Sequence, residues 1–288
     1  MDKLTTFTAF FKENKDDFDA ILFDVDGTLS SGRTPLPGAK ELLEYLQEIN
    51  FPYLLLTNDA SNSPAQKAAY LAKGGLPVTE KQVLSAGNAF EWWVKKNNYS
   101  GQLFFQYGKL GEPSFPEAAG INLTTDCDRI DECRGVLCGE GYFDWQKPLE
   151  TAFNLLLKHP EYPVIIANPD SYWPSLRLKG MGIGAGALAR FLCQVVHDAG
   201  KEVTLTYLGK PYAPIYQCVI PALQKLLPGK DFSDLSRIIM VGDSLKSDIA
   251  GANANGMSSA LLFSGITSWE QYLSAPPEEM PKYKFSSI

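Results

Sequence analysis

Residues 20–29, A-I-L-F-D-V-D-G-T-L, limit what this chain can fold into more than any other stretch. The apolar run Ala20 to Phe23 has the length of a buried strand, and it stops at Asp24-Val25-Asp26, where a strand would run out into a loop. In open α/β sheets ligands bind at the carboxyl ends of strands, so the two carboxylates fall at the chemically useful edge. Side chains alternate along a strand and its continuation, which puts Asp24 and Asp26 on the same side. Like charges held that close repel unless a cation neutralises them or one carries a proton. Both outcomes are chemical: a divalent-cation site, or a nucleophile beside a general acid. Gly27 permits the turn away from the site. Taken alone, the pair also fits an Asp-Gly turn after an edge strand, and the rest of the chain has to decide.

Three further segments share the form of an apolar strand ending in a polar loop. Phe51-Pro-Tyr-Leu-Leu-Leu runs into Thr57-Asn58-Asp59, Glu202 to Leu208 runs into Gly209-Lys210-Pro211, and Arg237 to Val241 runs into Gly242-Asp243 and on to Asp248. Asp24 to Thr57 and Lys210 to Asp243 are equal intervals of 33 residues, which suits one βαβ unit each. The much longer interval between Thr57 and Lys210 has room for an additional domain.

The ordered set Asp24-x-Asp26-Gly-Thr, Thr57-Asn58, Lys210-Pro211 and Gly242-Asp243-x4-Asp248 resembles the four motifs of the haloacid dehalogenase superfamily of phosphatases, over nearly the whole chain from Ile21 to about Phe263. The strings Ser31-Gly-x-x-Pro-x-Pro-Gly38-Ala39, Thr57-Asn-x-x-Ser61, Asn168-Pro169-Asp170 and Gly209-Lys-Pro-x-x-Pro-x-Tyr216 resemble the NagD and nitrophenylphosphatase subclass, which carries a large α/β cap between the second and third motifs. The resemblance implies an α/β fold, a Rossmann-like doubly wound parallel core with a smaller α/β cap inserted. The expected division is core over 1–86, cap over 87–184, and core again over 185–288.

The same resemblance assigns roles. Asp24 would be the nucleophile forming an aspartyl-phosphate, and Asp26 the acid and then base. Thr57 and Asn58 would hold phosphate oxygens, and Lys210 would supply a fixed positive charge. Mg2+ prefers oxygen ligands and keeps several waters, so Asp24, the main-chain carbonyl of Asp26 and Asp243 would suffice to hold it, with Asp248 orienting its waters or Lys210. The Asn168-Pro-Asp170-Ser-Tyr172-Trp173 loop is the expected leaving-group contact, Tyr172 and Trp173 offering large faces. Packing inside the cap is the other reading of both aromatics. The expected activity is Mg2+-dependent hydrolysis of a small phosphorylated metabolite, a nucleotide or sugar phosphate. A catalytically idle phospho-ligand module of the same fold is the alternative. A homodimer through the cap is the expected assembly.

Composition agrees with an enzyme of this kind. At 288 residues the chain exceeds the size at which one core usually stops growing. A net charge of -7 with no basic stripe argues against nucleic acid and anionic membrane partners. An anionic substrate must therefore be drawn by local features. No apolar run long enough for a membrane span is present, and residues 1–19 show no signal-peptide pattern, so a cytoplasmic location is expected. Five cysteines without a C-x-x-C pair read as free thiols. His159 and His197, far apart after helix-like segments, read as surface residues.

Patterning places helices over Leu36 to Ile49, Pro64 to Ala72 and Thr79 to Lys96, the last one with Val83-Leu84-Ser85 marking departure from the core. The inserted segment shows strand-like Gln102 to Tyr107, Gly135 to Cys138 and Val164 to Ala167, with helices at Pro116 to Ala119 and Leu149 to Leu157. Gly180, Gly182, Gly184 and Gly186 superficially resemble a dinucleotide fingerprint, but no strand precedes them, and a glycine-rich return from cap to core is expected instead. Gly186 to Ala199 is then a core helix, and Pro276 to Ile288 a loosely held tail.

Overall fold

The apolar runs assemble into two separate parallel sheets in the computed structural model, which describes residues 4–175 and 179–288. The fold is α/β, and the chain divides into two units. One comprises Met1–Thr57, Pro64–Leu84 and Lys210–Ile288; the other comprises Asn58–Ser63 and Ser85–Gly209.

The core sheet has the strand order Tyr283–Phe285, Ser258–Leu262, Ile238–Gly242, Ala20–Phe23, Tyr53–Thr57, Val83–Ser85. The pairings from Tyr283–Phe285 through Tyr53–Thr57 are all parallel. Every residue of Ala20–Phe23 is buried, which explains a run with no polar alternation: a strand covered on both faces has no wet side. Helix Ala39–Glu48 turns Leu42, Leu43 and Leu46 to this core, and helix Pro64–Lys73 turns Lys67, Ala68 and Leu71 inward.

Aromatic rings fill one end of the core. Helix Phe7–Asn14, capped by the Thr6 hydroxyl accepting from Ala9 N–H, sets the Phe7 ring 5.5 Å from Phe285 and 6.1 Å from Phe23. The two chain ends are tied directly, Phe7 N–H donating to the Ser287 carbonyl at 2.9 Å and Ser286 N–H to that of Thr5 at 3.0 Å. The expectation of a loose tail is therefore corrected: 283–285 is an edge strand of the core sheet, with Phe285 and Ile288 buried. Its few apolar residues lie among prolines and charges, so no local periodicity announced it.

The second unit holds a five-stranded sheet in the order Leu205–Tyr207, Val164–Ile166, Val136–Cys138, Leu103–Tyr107, Asn122–Thr124, parallel at every pairing. Helices Gln146–Lys158 and Ala185–Asp198 share one apolar core beneath it, built from Leu149, Leu155 and Leu156 with Ala189, Leu192 and Val196. Here the structure departs from the expected boundary after 184. The helix expected in the core packs on this second sheet, and the strand before Lys210 pairs with Val164–Ile166. A 3.6-residue period reveals an apolar face but not which sheet will cover it.

The glycine cluster is likewise placed inside this unit. Gly180–Ile183 pairs antiparallel with Tyr172–Ser175, and Gly184 opens helix Ala185–Asp198. The helix expected over Thr79 to Lys96 is broken: Val83–Ser85 is a strand and the α-helix begins at Ala89. All five cysteines are free, and among the described residues no helix is long and apolar enough to cross a membrane.

The C-terminal strand should be a structural necessity. Truncating Phe285 to Ala is expected to cost about 3–5 kcal/mol, as for other buried aromatics. Urea denaturation of Phe285→Ala checks this; a loss within error of zero would mean the ring does not contribute to the core.

Candidate active site

Three adjacent strands of the core sheet end in polar groups. Asp24 follows Phe23, Asp243 follows Gly242, and Thr57 closes Tyr53–Thr57. From Ala20–Phe23 the chain builds outward to one side through Tyr53–Thr57, while the later strands lie on the other, so the sheet order reverses beside Asp24. Such a switch point opens a crevice at the carboxyl edge.

Lys210 organises the site. Its side chain is 2% exposed, with Nζ 2.6 Å from Asp24 Oδ1 and 2.7 Å from Asp248 Oδ1. Asp248 Oδ2 accepts from Ser244 N–H at 3.1 Å. The turn carrying it, Leu245–Ile249, is wider than an α-turn, Ile249 N–H reaching back five residues to the Ser244 carbonyl at 3.1 Å. Asp243 Oδ2 accepts from Ile266 N–H at 2.9 Å, and the Asp243 carbonyl accepts from the Thr267 hydroxyl. Gly27, at φ +94°, lies so close that a Cβ there would overlap the Asp243 carboxylate. The Asp-Gly turn thus needs glycine for its backbone and for the space.

Asp24, Asp243 and Asp248 each offer a ligand oxygen, all within 4.8 Å of one another. Burial, reinforced by Asp248 and Asp243, raises the Asp24 carboxyl well above its ordinary range despite Lys210. Burial and the Asp248 charge push Asp243 up to about 7. Burial alone would lower Lys210, but Asp24 and Asp248 overcome it and hold the ammonium protonated. One buried cation among three clustered carboxylates, two of them buried and Asp24 partly so, leaves excess negative charge, and a hard divalent cation on carboxylate oxygens is the group that fits.

Asp26 faces a different partner. Its carboxylate is half exposed and lies 3.1 Å from the ammonium of Lys67, a residue of helix Pro64–Lys73 whose side chain is 8% exposed. Lys67 was not singled out in the sequence. Its position on the inward stripe of that helix, where an apolar residue belongs, was the available signal.

Two models of haloacid dehalogenase-like hydrolases match the chain, one over residues 21–122 and one over residues 207–287, together more than half of it. The chain belongs to this family. It is an enzyme, a hydrolase of the haloacid dehalogenase type. Rat chronophin is 28% identical over 279 residues, covering 93% of this chain and 85% of that protein. The 4-nitrophenylphosphatase of Schizosaccharomyces pombe is 25% identical over 298 residues, covering 96% and 94%. Among solved structures, the glycerol phosphate phosphatase of Mycobacterium tuberculosis in complex with magnesium shares the fold with a TM-score of 0.77 at 24% identity, over 94% of this chain and 75% of that one.

The remaining residues expected at the site of the hydrolase lie in the second unit. Asn58 is grouped there, its amide donating to Asp170 Oδ1 at 3.3 Å. Asn168 Oδ1 accepts from Asp170 N–H at 2.9 Å, an Asx turn that shapes the Asn-Pro-Asp loop. Arg190 secures the same loop by donating to the Pro169 carbonyl and to Ser171 Oγ. Tyr172 is exposed. Trp173 spends its indole N–H on the Ile183 carbonyl at 3.3 Å, with its ring against Gly182 and edge-on to Tyr142.

Glu140 is a second residue that pattern reading passed over. It accepts from Ala60 N–H at 2.9 Å, so it pins the loop that follows Asn58. Burial, with Asp59 adding repulsion, raises its carboxyl from 4.5 to about 8. A carboxyl raised in the folded state holds its proton where the unfolded chain has lost it, so stability falls as pH rises from about 4.5 to about 8 and is level above. The slope is at most about 1.4 kcal/mol per pH unit. Glu140→Gln, which cannot ionise, is expected to flatten the melting temperature between pH 5 and pH 8. Parallel melting curves for variant and wild type across that range would show that Glu140 contributes nothing to it.

Proposed function

We propose that the hydrolase is a Mg2+-dependent phosphatase that cleaves a small phosphomonoester, of the nucleotide or sugar phosphate kind, through an aspartyl-phosphate on Asp24. The observation that carries this reading is the buried Lys210 ammonium shared by Asp24 and Asp248, with Asp243 completing a carboxylate cluster within 4.8 Å. The similar mycobacterial phosphatase is described in complex with magnesium and in complex with calcium, which supports a divalent cation at such a site.

Asp24, Asp243 and the main-chain carbonyl of Asp26 would hold the cation, leaving Asp248 to position Lys210 and the 244–248 turn. Bound there, Mg2+ supplies positive charge that lets an anionic carboxylate approach an anionic phosphate. The chain's own groups do the rest. Lys210 holds Oδ1 of Asp24, which orients the other oxygen for attack on phosphorus. As the Asp24–phosphorus bond forms, the bond to the ester oxygen breaks, and Asp26 gives that oxygen a proton. Asp26 then takes a proton from the water that attacks the aspartyl-phosphate, freeing phosphate and restoring Asp24. Thr57, at the end of the neighbouring strand, offers its hydroxyl to a phosphoryl oxygen.

Phosphate release from 4-nitrophenyl phosphate with Mg2+ tests the reading against a catalytically idle module. Asp24→Asn keeps the shape but cannot attack, and it is expected to lower kcat by at least about 10³-fold with the melting temperature nearly unchanged. Near-normal turnover by the purified variant would sink the covalent route. A chelator should silence the enzyme and Mg2+ should restore it, with Ca2+ far less effective because its longer, looser contacts misplace Asp24. Full activity in excess chelator would remove the metal assignment.

A further inference from the structure

We infer that Lys67 is a positioning residue of the transfer step, its ammonium orienting Asp26 and placing a fixed positive charge beside the oxygen that leaves. The inference rests on the reading of Asp26 as the group that protonates that oxygen.

The packing sets the case. Lys67 shares the inward stripe of helix Pro64–Lys73 with Ala68 and Leu71, while Lys73 on the same helix is exposed. A leucine or methionine would satisfy that stripe, and burying an ammonium in its place costs desolvation. The ammonium donates to Asp26 Oδ2 at 3.1 Å. Burial is lopsided within the pair: Lys67 is 8% exposed and Asp26 52%. The lysine end is held by the fold, and the carboxylate end is left accessible, as an acid that must meet a leaving group requires.

Distance then links the charge to the chemistry. A general acid works within about 3 Å of the atom it protonates. With Nζ 3.1 Å from Asp26 Oδ2, the charge lies no more than about 6 Å from the ester oxygen when that same oxygen delivers the proton. As the phosphorus–oxygen bond breaks, negative charge builds on the ester oxygen until the Asp26 proton arrives. A fixed cation at that range lowers the energy of the developing charge. Lys210 stands on the other side of the chemistry, on the nucleophile Asp24. The site is thus read as having one lysine for the attacking oxygen and one for the departing oxygen.

The dependence on the leaving group separates this role from a structural one. Phenyl and 4-nitrophenyl phosphate have nearly the same shape, but phenoxide leaves as the more basic anion and needs more help. Lys67→Met is expected to lower kcat/KM on phenyl phosphate about tenfold more than on 4-nitrophenyl phosphate. Lys67→Arg should recover most of that difference. In an Asp26→Asn background Lys67→Met should change the ratio by less than it does in wild type, because the orienting part of its effect is gone and only its charge remains; an undiminished change would overturn the orienting role. Should Lys67→Met fail to fold, Lys67→Gln keeps an amide donor without the charge and carries the same comparison. An equal loss on both esters, or a ratio unchanged from wild type, overturns the inference and leaves Lys67 a packing residue. Wild-type protein that releases phosphate from neither ester overturns the phosphatase reading itself, and this inference with it.

Discussion

The Lys210 ammonium, buried between Asp24 and Asp248, is the contact on which the rest of the site depends. Three carboxylates crowded at one sheet edge would repel one another into solvent without a cation in their midst. Lys210 is held charged by that crowding, and it fixes one oxygen each of Asp24 and Asp248. Burial, reinforced by the neighbouring carboxylates, leaves Asp24 and Asp243 with raised proton affinity, and the clustered oxygens fit a hard divalent cation.

The fold serves that arrangement by bringing in charge from distant parts of the chain. Asp24 and Asp243 arrive on neighbouring parallel strands, Asp248 on the widened turn after the second of them, and Lys210 at the point where the chain re-enters the core unit. Main-chain donors at Ser244 and Ile266, together with the glycine at position 27, hold the acids in place. The N-terminal helix and the C-terminal strand close the same core with a cluster of phenylalanines that includes Phe23, the residue before Asp24.

Much of this was legible in the order of residues. A strand buried on both faces has to be apolar, and the first residue that is not marks its end, so Asp24 and Thr57 could be located by inspection. Lys67 and Glu140 could not. Each is an ionisable residue whose setting comes from what a separate element places opposite it, Asp26 in one case and Ala60 N–H in the other. Helix Ala185–Asp198 shows the same limit at the level of a domain, since its apolar face was evident and its destination was not.

By itself, the sequence determined the strand ends, their acids and lysine, the family and the α/β class, because these depend on local apolar runs and on spacing along one chain. Only the tertiary structure decided that the strand before Lys210 pairs in the second sheet, that 283–285 completes the first, and that Asp26 carries a buried lysine. Pairing partners and the company of a charge are long-range matters. They are settled by which surfaces exclude water together, and no window along the sequence contains both sides of such a contact.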